Sequence, residues 1–70
     1  MDINPIKAYR KQHGLKLEEF AELVGAKKAA VSKWEHGRSG PSPLKAREIE
    51  EKTGIPKEAI RPDIFGEAAA

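Results

Sequence analysis

Residues 17–34, LEEFAELVGAKKAAVSKW, constrain this chain more than any other stretch. Leu17, Phe20, Ala21 and Val24 recur at i, i+3, i+4 and i+7, the apolar stripe of an amphipathic helix. Gly25 follows at once, and glycine is the residue that most readily takes the left-handed backbone ending a helix. A second helical pattern then begins, with Ala30, Val31 and Trp34 on one side and Lys28, Ser32 and Lys33 on the other.

Two short helices joined by a tight glycine turn form a helix-turn-helix. In that motif the second helix can enter the major groove of duplex DNA. Charge distribution agrees with this reading. Net charge is only +2, but Lys27, Lys28, Lys33 and Arg38 gather around the second helix and the loop after it, opposed there by Glu35 alone. A local excess of cations is the footprint expected for a phosphate backbone. The plainer alternative is a solvated lysine face.

Seventy residues allow one domain, near the lower size limit for folding without a staple. With no cysteine there is neither a disulfide nor a thiolate metal site, so helix packing must supply the stability. No apolar run approaches the ~20 residues of a membrane span, and the first residues are too polar for a signal peptide. The expectation is a soluble, cytoplasmic protein with no membrane partner.

Glycine and proline punctuation divides the chain into about five helices with little room for strands. Asn4-Pro5 and Ser42-Pro43 read as a cap followed by proline at the first helical position. Gly14, Gly25, Gly37 and Thr53-Gly54 close the first four helices, and Pro56 opens a short fifth that stops before Pro62. The expected core is Ile6, Tyr9, Leu15, Leu17, Phe20, Ala21, Val24, Val31, Trp34, Leu44, Ala46, Ile49, Ile55 and Ile60. Trp34 could instead stack on a base, but its angular position opposite Lys28 and Ser32 favours the core.

At ~100° per residue, Lys28, Ser32, His36, Ala29 and Lys33 fall within an arc of roughly 140° on the third helix. Small side chains there let a helix approach the groove floor. Lysine can donate to guanine, serine can pair with several base edges, and alanine can pack on a thymine methyl. The arc lacks arginine, glutamine and asparagine, the best bidentate readers, so modest specificity is expected. Lys16 and Lys27 stand where the second and third helices favour a Ser, Thr or Asp cap. Lysine caps poorly and its charge opposes the helix dipole there. Such placement makes sense if both contact phosphates.

The run Ala21…Gly25…Val31, followed by Ser32-Lys33-Trp34-Glu35 and Gly37, resembles the Cro and phage-repressor helix-turn-helix family over about residues 5–60. Ile60-Arg61-Pro62-Asp63-Ile64-Phe65 resembles a branch of small Cro-like regulators of prophages and toxin–antitoxin loci. The resemblance implies an all-α, five-helix, lambda-repressor-like DNA-binding domain over residues 1–65, with 66–70 a disordered tail. By that resemblance, Lys28, Ala29, Ser32 and Lys33 match base-reading positions. Lys16, Leu17, Lys27, Arg38 and Ser39 match phosphate contacts, to which His36 could add one at low pH. Arg10 matches an arginine that pairs with the glutamate after the tryptophan, here Glu35; two solvated charges are the alternative. Ala21, Gly25, Val31 and Trp34 match structural positions. The chain departs from the family at Lys16-Leu17, where Ser/Thr then Gln is frequent, and at Lys27, where a Ser/Thr cap is usual.

Other chemistries find little support. His13 and His36 are the only histidines and lack the partners of a zinc site. Gly37-Arg38-Ser39-Gly40-Pro41 lacks the lysine and following helix of a phosphate-binding loop. No nucleophile, base and orienter can be assembled, and Glu48, Glu50 and Glu51 read as a solvated helix face. The sequence therefore predicts a non-enzymatic, cofactor-free, sequence-specific regulator that binds a palindromic operator, at least on DNA as a homodimer. So small a protein would lack a sensing domain, so occupancy would follow its own concentration. Ile60, Ile64 and Phe65 are the candidate dimer residues, their alternative role being to close the core. The rival functions are a module or antitoxin component that binds a toxin or other protein partner, and a non-specific architectural DNA binder.

Overall fold

Asn4 starts the first helix with both ends of its amide. Its Oδ1 accepts from the Ile6 and Lys7 N–H groups at 2.9 and 3.2 Å, filling first-turn donors that have no helical partner. Its Nδ2 donates to the Trp34 carbonyl at 3.0 Å, tying this helix to the end of the third. The structure is a computed structural model and describes residues 4–66. Its elements are α1 (Pro5–Gln12), α2 (Leu17–Val24), α3 (Lys28–Glu35), α4 (Pro43–Thr53), α5 (Lys57–Ile60) and α6 (Pro62–Phe65). Among the described residues there is no strand, so the fold is all-α.

The α2–α3 turn takes its shape from Gly25, at φ 69° and ψ 39°, where a side chain would be strained. Beyond it the Ala26 N–H reaches back to the Ala21 carbonyl at 2.8 Å, satisfying one of the carbonyls the helix end exposes. The turn therefore swings α3 across α2 within a few residues. Val31 and Trp34 consequently face Phe20, Ala21 and Val24 in one cluster with Ile6, Ile49 and Ile55. Tyr9, Leu15, Leu17, Ala26, Ala30 and Ile60 pack around that cluster half-buried. The Tyr9 ring meets Phe20 edge-on, with centroids 5.9 Å apart.

Leu44 does not join the core. It is 69% exposed. Ala46 and Ile49 are the buried residues of α4, and at ~100° per residue Leu44 lies about 200° from Ala46 and 140° from Ile49. Hydrophobicity alone suggested burial; helical phase decides against it.

The expected five helices become six. α5 does stop before Pro62, but the chain then makes one more turn. Arg61, preceding a proline, leaves the helical region at φ −131° and ψ 71°. Pro62 then occupies a first-turn position, where its missing N–H costs nothing. The Ile64 and Phe65 N–H groups bond to the Arg61 carbonyl, and Gly66 bonds to Pro62. Of the expected tail, residues 67–70 lie outside the described residues.

Candidate nucleic-acid interface

α3 has two sharply different faces. Val31 is fully buried and Trp34 is 8% exposed, whereas Lys28, Ala29 and Lys33 are exposed and Ser32 is half-buried. Ala29, Ser32, Lys33 and His36 line an open hollow of about 310 Å³, which Arg38 completes from the following loop. Arg38 is held there through its backbone, its N–H donating to the Lys33 carbonyl at 3.0 Å. Both cations are exposed and can meet an anionic or acceptor-rich ligand.

The other residues expected to contact DNA do not line this hollow. Lys28 opens α3, Lys27 precedes it, and Ser39 follows Arg38; all three are exposed. Lys16 is exposed at the start of α2, but the Leu17 side chain packs against the core. Leu17 therefore offers a ligand its first-turn N–H rather than its side chain.

His36 bonds back onto its own helix. Its Nδ1 lies 2.7 Å from the Ser32 carbonyl. A carbonyl can only accept, so Nδ1 carries the hydrogen and the neutral ring keeps an unprotonated Nε2. That nitrogen can meet a phosphate oxygen only after it gains a proton.

The two helix starts differ. A lysine ammonium is a donor only, so Lys16 cannot cap with its side chain. Glu19 instead accepts the Lys16 N–H at 2.7 Å, and with Glu18 it places negative charge in the first turn of α2. α3 has no such help: Lys27 makes no side-chain cap bond, and the first turn contains no acid. The amino end of α3 is therefore the more electropositive of the two.

Several residues that position this face escaped the sequence reading. Lys45 on α4 donates from Nζ to the Val24 and Gly25 carbonyls, each at 3.2 Å, and pairs with Glu48 at 2.8 Å. An ammonium at the carbonyl end of α2 suits the helix dipole and ties the turn to α4. Glu50, read as part of a solvated face, accepts the Lys57 N–H at 3.0 Å and so starts α5. Local pattern offers no signal for these roles, because the partners lie on other elements. His13, whose ring stacks on Tyr9 at 4.1 Å, stands apart from the α3 face. Among the described residues no three His, Cys, Asp or Glu side chains converge as metal ligands would.

A family model described as helix-turn-helix matches residues 6–60, most of the chain. The chain belongs to the Cro/C1-type helix-turn-helix family. It is a DNA-binding helix-turn-helix regulator, and the family is a regulatory rather than an enzymatic one. Comparison with curated proteins and with solved structures found no match. No helix among the described residues is long and apolar enough to cross a membrane.

Proposed function

We propose that this helix-turn-helix protein is a Cro-like transcriptional repressor that binds a palindromic operator as a homodimer, with α3 in the major groove. Lys28, Ala29, Ser32 and Lys33 read base edges. Lys16, Lys27, Arg38, Ser39, the Leu17 N–H and protonated His36 hold phosphates. The observation that carries this reading is the division of α3, with Val31 and Trp34 buried and its lysines left uncovered beside Arg38. A face built to meet protein would be apolar at its centre, whereas this one is small and cationic.

Pairing two copies would set the reading helices about 34 Å apart, on half-sites ~10–10.5 base pairs from centre to centre. Leu23, Leu44 and Ile64 are the large apolar side chains left exposed among the described residues, at 39%, 69% and 38%. Ile60 packs against the core, while Phe65 is half-buried with the Arg47 and Lys57 cations 5.5 and 5.7 Å from its ring centre. By exposure, Leu23, Leu44 and Ile64 are better candidates for pairing than Ile60 or Phe65.

Selection from random duplexes tests the reading directly. A two-fold symmetric motif is expected, with affinity falling by ~0.9 log units per log unit of salt for each neutralised phosphate. Salt-insensitive binding to a protein partner would point to the interaction module, and selection without a motif would point to an architectural binder.

A further inference from the structure

Arg61 lies one residue beyond the matched family span, and its side chain crosses the backbone of the α3–α4 loop. Its Nη1 donates to the Pro41 carbonyl at 2.6 Å, and Pro41 itself is buried. Its Nε and Nη2 form a two-pronged bond with Asp63 at 3.0 and 2.8 Å. Gly40 permits this approach: a Cβ there would stand 2.8 Å from Arg61 Cδ and 3.3 Å from Nε. The loop running from Arg38 to Pro41 is thus anchored twice. Its first end hangs from α3 through the Arg38 N–H, and its second is gripped by a guanidinium that Asp63 holds in place.

We propose that Arg61 is a positioning residue for DNA binding, a strut that fixes the α3–α4 loop so that Arg38 presents its charge beside α3. This rests on the DNA-binding geometry proposed above. Arg61 is 22% exposed at its side chain and engaged on both faces of its fork, so it serves by placing Arg38 rather than by meeting phosphate. Lysine cannot replace it, because a single ammonium lacks the planar fork that reaches Pro41 and Asp63 together. Gly40 is part of the same device, since a Cβ there would stand 2.8 Å from Arg61 Cδ and force the Arg61 side chain to shift.

The test is a double-mutant cycle on the full chain, read as the salt dependence of binding to a duplex recovered by random selection. Arg61→Ala and Gly40→Ala should each reduce the salt slope by about 0.9, the value of one lost phosphate contact. Arg38→Ala should do the same, and adding it to either variant should remove little more, because the contact is already gone. Gly40→Ala keeps the whole Arg61 side chain, so it carries the test if Arg61→Ala does not fold. Folded variants with the wild-type slope, or losses that simply add to that of Arg38→Ala, would overturn the strut. Salt-insensitive binding by the unaltered protein would instead overturn the DNA-binding geometry on which it rests.

Discussion

Arg10 and Glu35 form a two-pronged ion pair between α1 and the end of α3, with Nε to Oε2 at 2.8 Å and Nη2 to Oε1 at 3.0 Å. Arg10 also donates from Nη1 to the Leu15 carbonyl at 3.2 Å. One guanidinium thus joins α1, the loop before α2, and α3. The hydrogen bond to Glu35 raises the pKa of Arg10 above its already high value, against the desolvation that lowers it. The pair fixes the end of α3 against α1.

Breaking that pair from one side should be costly. Glu35 keeps 6% of its side-chain exposure and Arg10 18%, so removing either leaves a poorly solvated charge. Glu35→Ala is expected to lower stability by about 3 kcal/mol, the low end for a buried pair. Replacing both with apolar residues of similar size should recover much of the loss. Urea unfolding of the two single variants and the double variant checks this.

Lys27→Ser should stabilise the protein while weakening its binding to DNA. Serine supplies the missing cap of α3, worth about 1 kcal/mol, and removes a charge from the positive end of the helix. Thermal unfolding and binding to the selected duplex would be measured on the same variant. Unchanged binding would remove Lys27 from the phosphate contacts.

Lys33→Ala and Lys27→Ala should fail differently. Lys33 is exposed in the hollow, so its loss should leave stability within about 0.5 kcal/mol. It should cost about 1–3 kcal/mol on the preferred site and relax the preference at one base pair. Lys27→Ala should weaken all duplexes alike. Competition between the selected site and a scrambled duplex separates the two patterns.

Lys45→Met should loosen the α2–α3 turn without touching either helix. It removes two bonds to carbonyls at the end of α2 and leaves the apolar stem in place. The expected cost is about 1–2 kcal/mol, since the Gly25 carbonyl is exposed and can recruit water while the Val24 carbonyl is partly buried. Hydrogen exchange should show faster opening around Gly25, and an unchanged exchange pattern would refute the role.

Acid should release the Arg61 strut. The hydrogen bond from Arg61 holds the Asp63 carboxyl below its usual pKa, with its own backbone amide a further cause. A carboxyl depressed in the folded state contributes stability that is present above its unfolded pKa, about 3.9, and is lost as pH falls through the lower folded value. The strut should therefore hold from about pH 5 upward and fail only in stronger acid. Asp63→Asn should show less acid destabilisation than the unaltered protein when unfolding is followed by circular dichroism. Equal acid sensitivity would contradict this assignment.

Local chemistry made the helices legible. Asn4-Pro5, Gly25 and Ser42-Pro43 act on their immediate neighbours, so their effects can be read without knowing the fold. The same holds for α3, where the spacing of Val31 and Trp34 against Lys28 and Lys33 separates the buried face from the cationic one. The additional turn at Pro62 was harder to read, because a proline that ends one helix also suits the start of the next.

The residues alone determined an all-helical chain, its glycine turn and the cationic arc on its third helix, because periodicity and capping operate within a few positions. The tertiary structure alone decided that Leu44 faces outward, that Lys45 secures the turn from α4, and that Arg61 grips the loop carrying Arg38. Each depends on groups about twenty residues apart or on the phase of one helix against another. Packing brings such groups together, and no local pattern encodes the meeting.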